Sequence, residues 1–109
     1  MVFGAEPEHD WCYYYQKATL ARQRGNWDEI ISLHEEASRK GLAPQDLIEW
    51  LPFLQAYANA GDIDHLIELA PIVSSDPFIA QQACRSLGGM QNQTEQVFDV
   101  INSQYCDGQ

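Results

Sequence analysis

Apolar residues recur three and four positions apart along most of this chain, and turn-forming residues interrupt the pattern at regular intervals. Behind a polar stretch containing Glu6, Pro7, Glu8 and Asp10, the spacing predicts a helix from about Trp11 to Arg24. Gly25 ends it, since glycine takes the left-handed backbone that closes helices. Asn26 is placed to cap a second helix, with Glu29 three residues on to reciprocate. That helix carries Trp27, Ile30, Ile31, Leu33, His34 and Ala37, and finishes with Arg39 and Lys40 at the negative end of the helix dipole, before Gly41. Pro44 fits the first turn of a third helix reaching about Ala60, inside which Pro52 should cause a kink or a split. Gly61 ends that helix and Asp62 caps a fourth, which Pro71 should bend or shorten. Asp76-Pro77 restarts the chain into a fifth helix marked by Phe78, Ala83 and Leu87 and stopped by Gly88-Gly89. Asn92 or Thr94 caps a sixth, with Val97, Phe98, Ile101 and Tyr105 on one face. No period-two alternation is long enough for a strand. The expectation is one all-α domain over residues 1–109: a hairpin at 11–40, a second at 44–74 and a terminal pair at 76–105. Its core should include Tyr14, Trp27, Trp50, Phe53, Leu54, Tyr57, Leu66, Ile67, Val97 and Phe98.

Positions 36 apart match in kind. Tyr14 aligns with Trp50, Ala21 with Tyr57, Gly25 with Gly61, Asn26 with Asp62, Trp27 with Ile63, Ile30 with Leu66, Leu33 with Leu69 and Ala37 with Val73. The agreement covers two helices and the turn between them, which apolar class alone would not produce. The fifth and sixth helices do not keep the step.

With those residues in place, the chain resembles the tetratricopeptide family, which repeats a helix–turn–helix of about 34 residues. Tyr14, Ala18, Gly25, Asn26, Trp27, Ala37 and Pro44 stand in the family's marked roles, and Trp50, Tyr57, Gly61, Asp62 and Val73 do so in the second copy. Lys17, Leu54 and Pro52 depart from its pattern. The resemblance implies a right-handed stack of antiparallel hairpins whose first helices line a concave, peptide-accepting surface. Here those positions are Cys12, Tyr15, Thr19, Arg22 and Gln23, then Ile48, Leu51, Gln55, Ala58 and Asn59. Tyr15, Thr19, Arg22, Gln23, Leu51, Gln55 and Asn59 are the candidate contact residues. The paired lysines and asparagines with which some relatives clamp a terminal carboxylate are absent, so that specificity is not expected. A second resemblance rests on Glu6-Pro7-Glu8-His9-Asp10-Trp11-Cys12-Tyr13-Tyr14-Tyr15, Ala21-Arg22-Gln23 and Glu49-Trp50-Leu51-Pro52-Phe53. These are similar to the soluble C-terminal region of bacterial multi-pass membrane proteins of glycosyltransferase type. That likeness implies an accessory or regulatory domain excised from a longer, membrane-tethered parent that holds the transfer chemistry.

Charge narrows the partner. Six Lys and Arg face sixteen Asp and Glu, a formal net charge of −10. Nucleic acid and anionic membrane surfaces both demand a basic face, so both are disfavoured. No apolar run approaches the ~20 residues of a membrane-spanning helix. Lys17, Arg22 and Arg24 are half of all basic residues and fall on the first helix, where they suit an acidic segment of a protein or peptide partner. Uncovered ends of a short repeat array would also allow weak homodimer formation.

Three cysteines, Cys12, Cys84 and Cys106, give an odd count without close spacing, which suggests free thiols and a cytoplasmic setting. Trp11, Tyr13, Tyr14 and Tyr15 cannot all face one side of a helix that turns about 100° per residue. Trp11 and Tyr14 are expected inside, leaving Tyr13 or Tyr15 for a partner. His9 and Cys12 lie near three acids, but no second ligand pair follows, so no metal or other cofactor is expected. His34 and His65 each read as isolated on a helix face, His34 against the helix pairing with a bonded nitrogen. Nucleophile-elbow, phosphate-loop and dinucleotide signatures are absent, so the chain is not expected to be an enzyme.

Overall fold

A side-chain acceptor opens five of the helices. The computed structural model describes residues 10–90 and 93–106, and all regular structure among them is helical. It runs α1 (Trp11–Gln23), α2 (Trp27–Arg39), a 3-10 turn (Leu47–Trp50) feeding α3 (Leu51–Ala60), α4 (Ile63–Val73), α5 (Pro77–Gly88), α6 (Glu95–Ile101) and a closing π-helical turn (Asn102–Cys106). Asp10, Asn26, Asp62, Asp76 and Thr94 accept from backbone N–H groups in the first turns of α1, α2, α4, α5 and α6. Each satisfies a donor that the helix itself leaves orphaned. Asn92, the other candidate cap for α6, lies outside the described residues.

The turns after α1 and α3 share two backbone bonds at equivalent positions. Gly25 and Gly61 take left-handed φ of 69° and 74°. Gly25 N–H donates to Arg22 O at 3.0 Å and Gly61 N–H to Ala58 O at 3.1 Å. Asn26 N–H reaches Ala21 O at 2.8 Å and Asp62 N–H reaches Tyr57 O at 2.9 Å. This is the Schellman arrangement, which closes the orphaned carbonyls of a helix end. All four pairs of atoms correspond at the 36-residue step of the sequence.

α3 is the central helix. Six of its ten residues, Pro52, Phe53, Leu54, Ala56, Tyr57 and Ala58, are buried, which leaves it almost no solvated face. α2 packs on α1 and α3, α3 also packs on α4 and α5, and α6 and the π-helical turn close over α4 and α5. Pro52 splits the third helical segment, as its missing donor requires: the chain is 3-10 up to Trp50, and Pro52 occupies the first turn of α3.

Several expectations need correction. Pro44 precedes the helical segment instead of opening it, because Asp46 and Glu49 provide the start signal. α4 runs through Pro71 to Val73 without stopping. Ile67 and Phe98 are 44% and 38% exposed, since Leu66, Leu69, Ala70 and Val73 hold the inner face of α4, and Val97, Ile101 and Tyr105 that of the last segment. Trp27 is only half-buried.

The thiols are also not all free. Cys84 of α5 and Cys106 of the π-helical turn form a disulfide with Cα atoms 5.1 Å apart, while Cys12 is free and exposed. Tyr105, adjacent to Cys106, is buried and donates its hydroxyl to Leu66 O of α4 at 2.6 Å. That anchor brings the chain end onto α4 and α5, and the pairing follows. No described helix is long and apolar enough to cross a membrane.

Candidate functional site

The positions predicted to line a groove lie on α1, the 3-10 turn and α3. α1 presents Cys12, Arg22 and Gln23 to solvent, with Tyr15 and Thr19 half-buried beneath them. Thr19 spends its hydroxyl within the helix, donating to Tyr15 O at 2.9 Å. The second segment presents exposed Ile48 and Asn59 and half-buried Leu51 and Gln55. Ala58 is 2% exposed and cannot line a groove. α1 and α3 touch, and one side-chain bond joins the two sets: the Arg22 guanidinium donates to Gln55 Oε1 at 3.3 Å. Tyr15 and Leu51 pack against the core as well as reaching the surface.

The aromatic block divides as helical geometry demands. Trp11 and Tyr14 are buried, while Tyr13 and Tyr15 are half-buried. The Lys17 ammonium sits 5.4 Å from the Tyr13 ring centre, a cation–π distance, so this departure from the repeat pattern is accommodated at the surface. Trp11 Nε1–H donates to Glu49 Oε1 at 3.0 Å, and the same oxygen accepts from the backbone N–H of Gln45 and Asp46 at 2.9 and 3.1 Å. Glu49 therefore fastens the start of α1 to the start of the 3-10 turn. Its three-residue spacing from Asp46 was the available sequence signal.

The largest departure from the sequence reading concerns the histidines, which are not isolated. His34 of α2 and His65 of α4 both meet Tyr57 of α3, one at its hydroxyl and one on a ring face. His34 Nδ1 forms a short hydrogen bond with the Tyr57 hydroxyl. The His34 ring centre is 5.4 Å from that of Trp50 and 5.5 Å from that of Phe53. On the ring face, His65 stacks on Tyr57 with centres 4.3 Å apart and planes 1° from parallel. Asp62 Oδ2 is 2.6 Å from His65 Nδ1, and Asp62 Oδ1 accepts the His65 backbone N–H at 3.1 Å. Burial pushes His34 below its ordinary value and nearby His65 adds to this, while Glu35 and Glu68 oppose it. Burial, reinforced by Glu35, Asp62 and Glu68, keeps the Tyr57 hydroxyl protonated far above the usual tyrosine range. No sequence spacing links residues 34, 57 and 65; only the packing of α2 and α4 on α3 does.

Among the described residues no group of three or more His, Cys, Asp or Glu side chains is placed to hold a metal ion. His9, part of the cluster considered with Cys12, lies outside them. No protein-family description, curated protein or solved structure matches this chain.

Proposed function

We propose that this chain is a non-catalytic protein- or peptide-binding module, built from tetratricopeptide-like hairpins, that presents the α1/α3 face to its partner. The carrying observation is the Arg22–Gln55 bond, which brings the two predicted contact sets onto adjoining helices. The matched turns at Gly25 and Gly61 support the hairpin reading. Arg22, Gln23 and Asn59 offer exposed polar groups, and Tyr15 and Leu51 offer half-buried apolar surface already supported from below. Such supported surface suits an interface anchor, because little side-chain freedom remains to be lost on binding. Arg22 and Arg24 favour an acidic segment against a chain that is otherwise strongly negative. The Asp62–His65 pair acts as a helix cap, which fits a binding module without catalysis.

The test is selection of displayed peptides against the immobilised domain, followed by affinity measurement for Tyr15→Ala and Arg22→Ala. An enriched acidic peptide should weaken about tenfold with Arg22→Ala, as expected for a charge-assisted hydrogen bond. Unchanged affinity in both variants removes this face as the binding site.

The second reading, an accessory or regulatory domain of a membrane-embedded glycosyl-transfer protein, gains less. Glu49, Trp50 and Pro52, central to that resemblance, are accounted for by the start of α3 and its packing. The cytoplasmic expectation rested on free thiols. With Cys84 and Cys106 paired, our reading moves to an oxidising compartment, where such bridges persist. Exposed Ile67, Ile72 and Phe78 support weak self-association, which light scattering at rising concentration tests directly.

A further inference from the structure

The His34–Tyr57 bond joins α2 to α3, and its direction depends on protonation. Neutral His34 with its hydrogen on Nε2 accepts at Nδ1 from the Tyr57 hydroxyl, which pairs that lone pair with the hydroxyl hydrogen. Protonated His34 carries a hydrogen on Nδ1, so the tyrosine oxygen must accept and its own hydrogen must find another acceptor. Tyr57 is only 1% exposed, with the parallel His65 ring over one face. Water is therefore a poor substitute, and an orphaned buried donor is costly. We propose that His34 and Tyr57 form an acid-sensitive seam between α2 and α3, closed when His34 is neutral and loosened when it gains a proton. The inference is independent of the proposed partner.

The charges around the seam can be named element by element. α2 contributes Glu35 beside His34; the 3-10 turn contributes Trp50, and α3 Phe53 and Tyr57, none of them ionised near neutrality; α4 contributes His65 and Glu68, with Asp62 at its start. Glu35 and Glu68 favour the cation, yet no described carboxylate lies within ion-pair distance of the His34 ring. Burial and His65 outweigh them, and His34 is held below 6.5. As pH falls, the unfolded chain takes up this proton first. Stability from the seam is therefore complete above about 6.5 and is lost as pH drops through the lower folded value.

The experiment records long-range 1H–15N spectra of the histidines from pH 7.5 to 4.5, together with thermal unfolding of the intact chain and of His34→Gln, His65→Gln and Tyr57→Phe. We expect an acceptor-type Nδ1 on His34 at pH 7 and a thermal midpoint that falls between pH 7 and pH 5. His34→Gln should remove most of that fall, and His65→Gln, which lifts only the lesser of the two effects that hold His34 down, should leave most of it in place. Should His34→Gln fail to fold, Tyr57→Phe decides: the His34 titration should move up, because protonation no longer orphans a hydroxyl, while burial still holds it below its ordinary value. A His34 already charged at pH 7, an unaltered pH profile in His34→Gln, or an unmoved titration in Tyr57→Phe overturns the proposal.

Discussion

The centre of this molecule and its α6 region are secured by different means. Around α3, order comes from packing and directed polar contacts: α3 is buried on nearly all sides, and His34, Tyr57, His65 and Asp62 link α2, α3 and α4 without a covalent tie. In the α6 region the helix is short, and the π-helical turn that follows is fixed by Tyr105 and by the Cys84–Cys106 bridge. The difference follows from the apolar surface each region can supply. A helix with six buried residues in ten needs no staple. A seven-residue helix placing only Val97 and Ile101 inside is too short to stand alone, and a cross-link offsets the freedom of that segment.

Substitutions in the two regions should differ in cost, and the largest effect should come from the centre. Tyr57→Ala removes a buried ring, the partner of His34 and the platform of His65, and should cost about 3–5 kcal/mol in chemical denaturation. A loss under about 1 kcal/mol would show that α3 is not the keystone. Replacing both Cys84 and Cys106 by Ser opens a loop spanning 22 residues of sequence separation, which the chain-entropy account values at about 3 kcal/mol. That loss should concentrate in the terminal region, as resolved by residue-level exchange. Gly61→Ala should cost about 1–2 kcal/mol, and Gly25→Ala a similar amount, because both backbones are left-handed while an added Cβ meets nothing within 4 Å at either site. Equal costs at the two glycines would sharpen the equivalence of the turns, and a difference above about 1 kcal/mol would weaken it. The smallest effect should be at the cap: Asp62→Ala should cost about 1 kcal/mol and lengthen the distance between His65 and its stacking partner, seen as altered ring-current shifts.

The helices, their caps and their glycine stops were legible in the sequence because each is a local matter of spacing and hydrogen-bond chemistry. Gly25, Asn26, Gly61, Asp62, Asp76 and Thr94 act where their neighbours predict. Facing within a helix was less legible: Ile67 and Phe98 are as apolar as their buried neighbours but lie one step around the helix from them. Relations between helices were hidden. The 22-residue gap between paired cysteines and the grouping of His34 with His65 depend on how separate helices meet, and no local spacing encodes that. The predicted contact residues fall between these cases. Their helices are as expected and Arg22 meets Gln55, but Ala58 faces the core because α3 is covered on more sides than a groove-lining helix would be.

If α1 to α4 stand by their own packing while α6 and the π-helical turn depend on the bridge, reduction must act on one region alone. Amide hydrogen exchange with and without a strong dithiol reductant resolves this. Reduction should strip protection from α6 and the π-helical turn while Phe53, Leu54 and Tyr57 stay as slow to exchange as before. Protection lost evenly from α1 through α6, or retained everywhere, would contradict it.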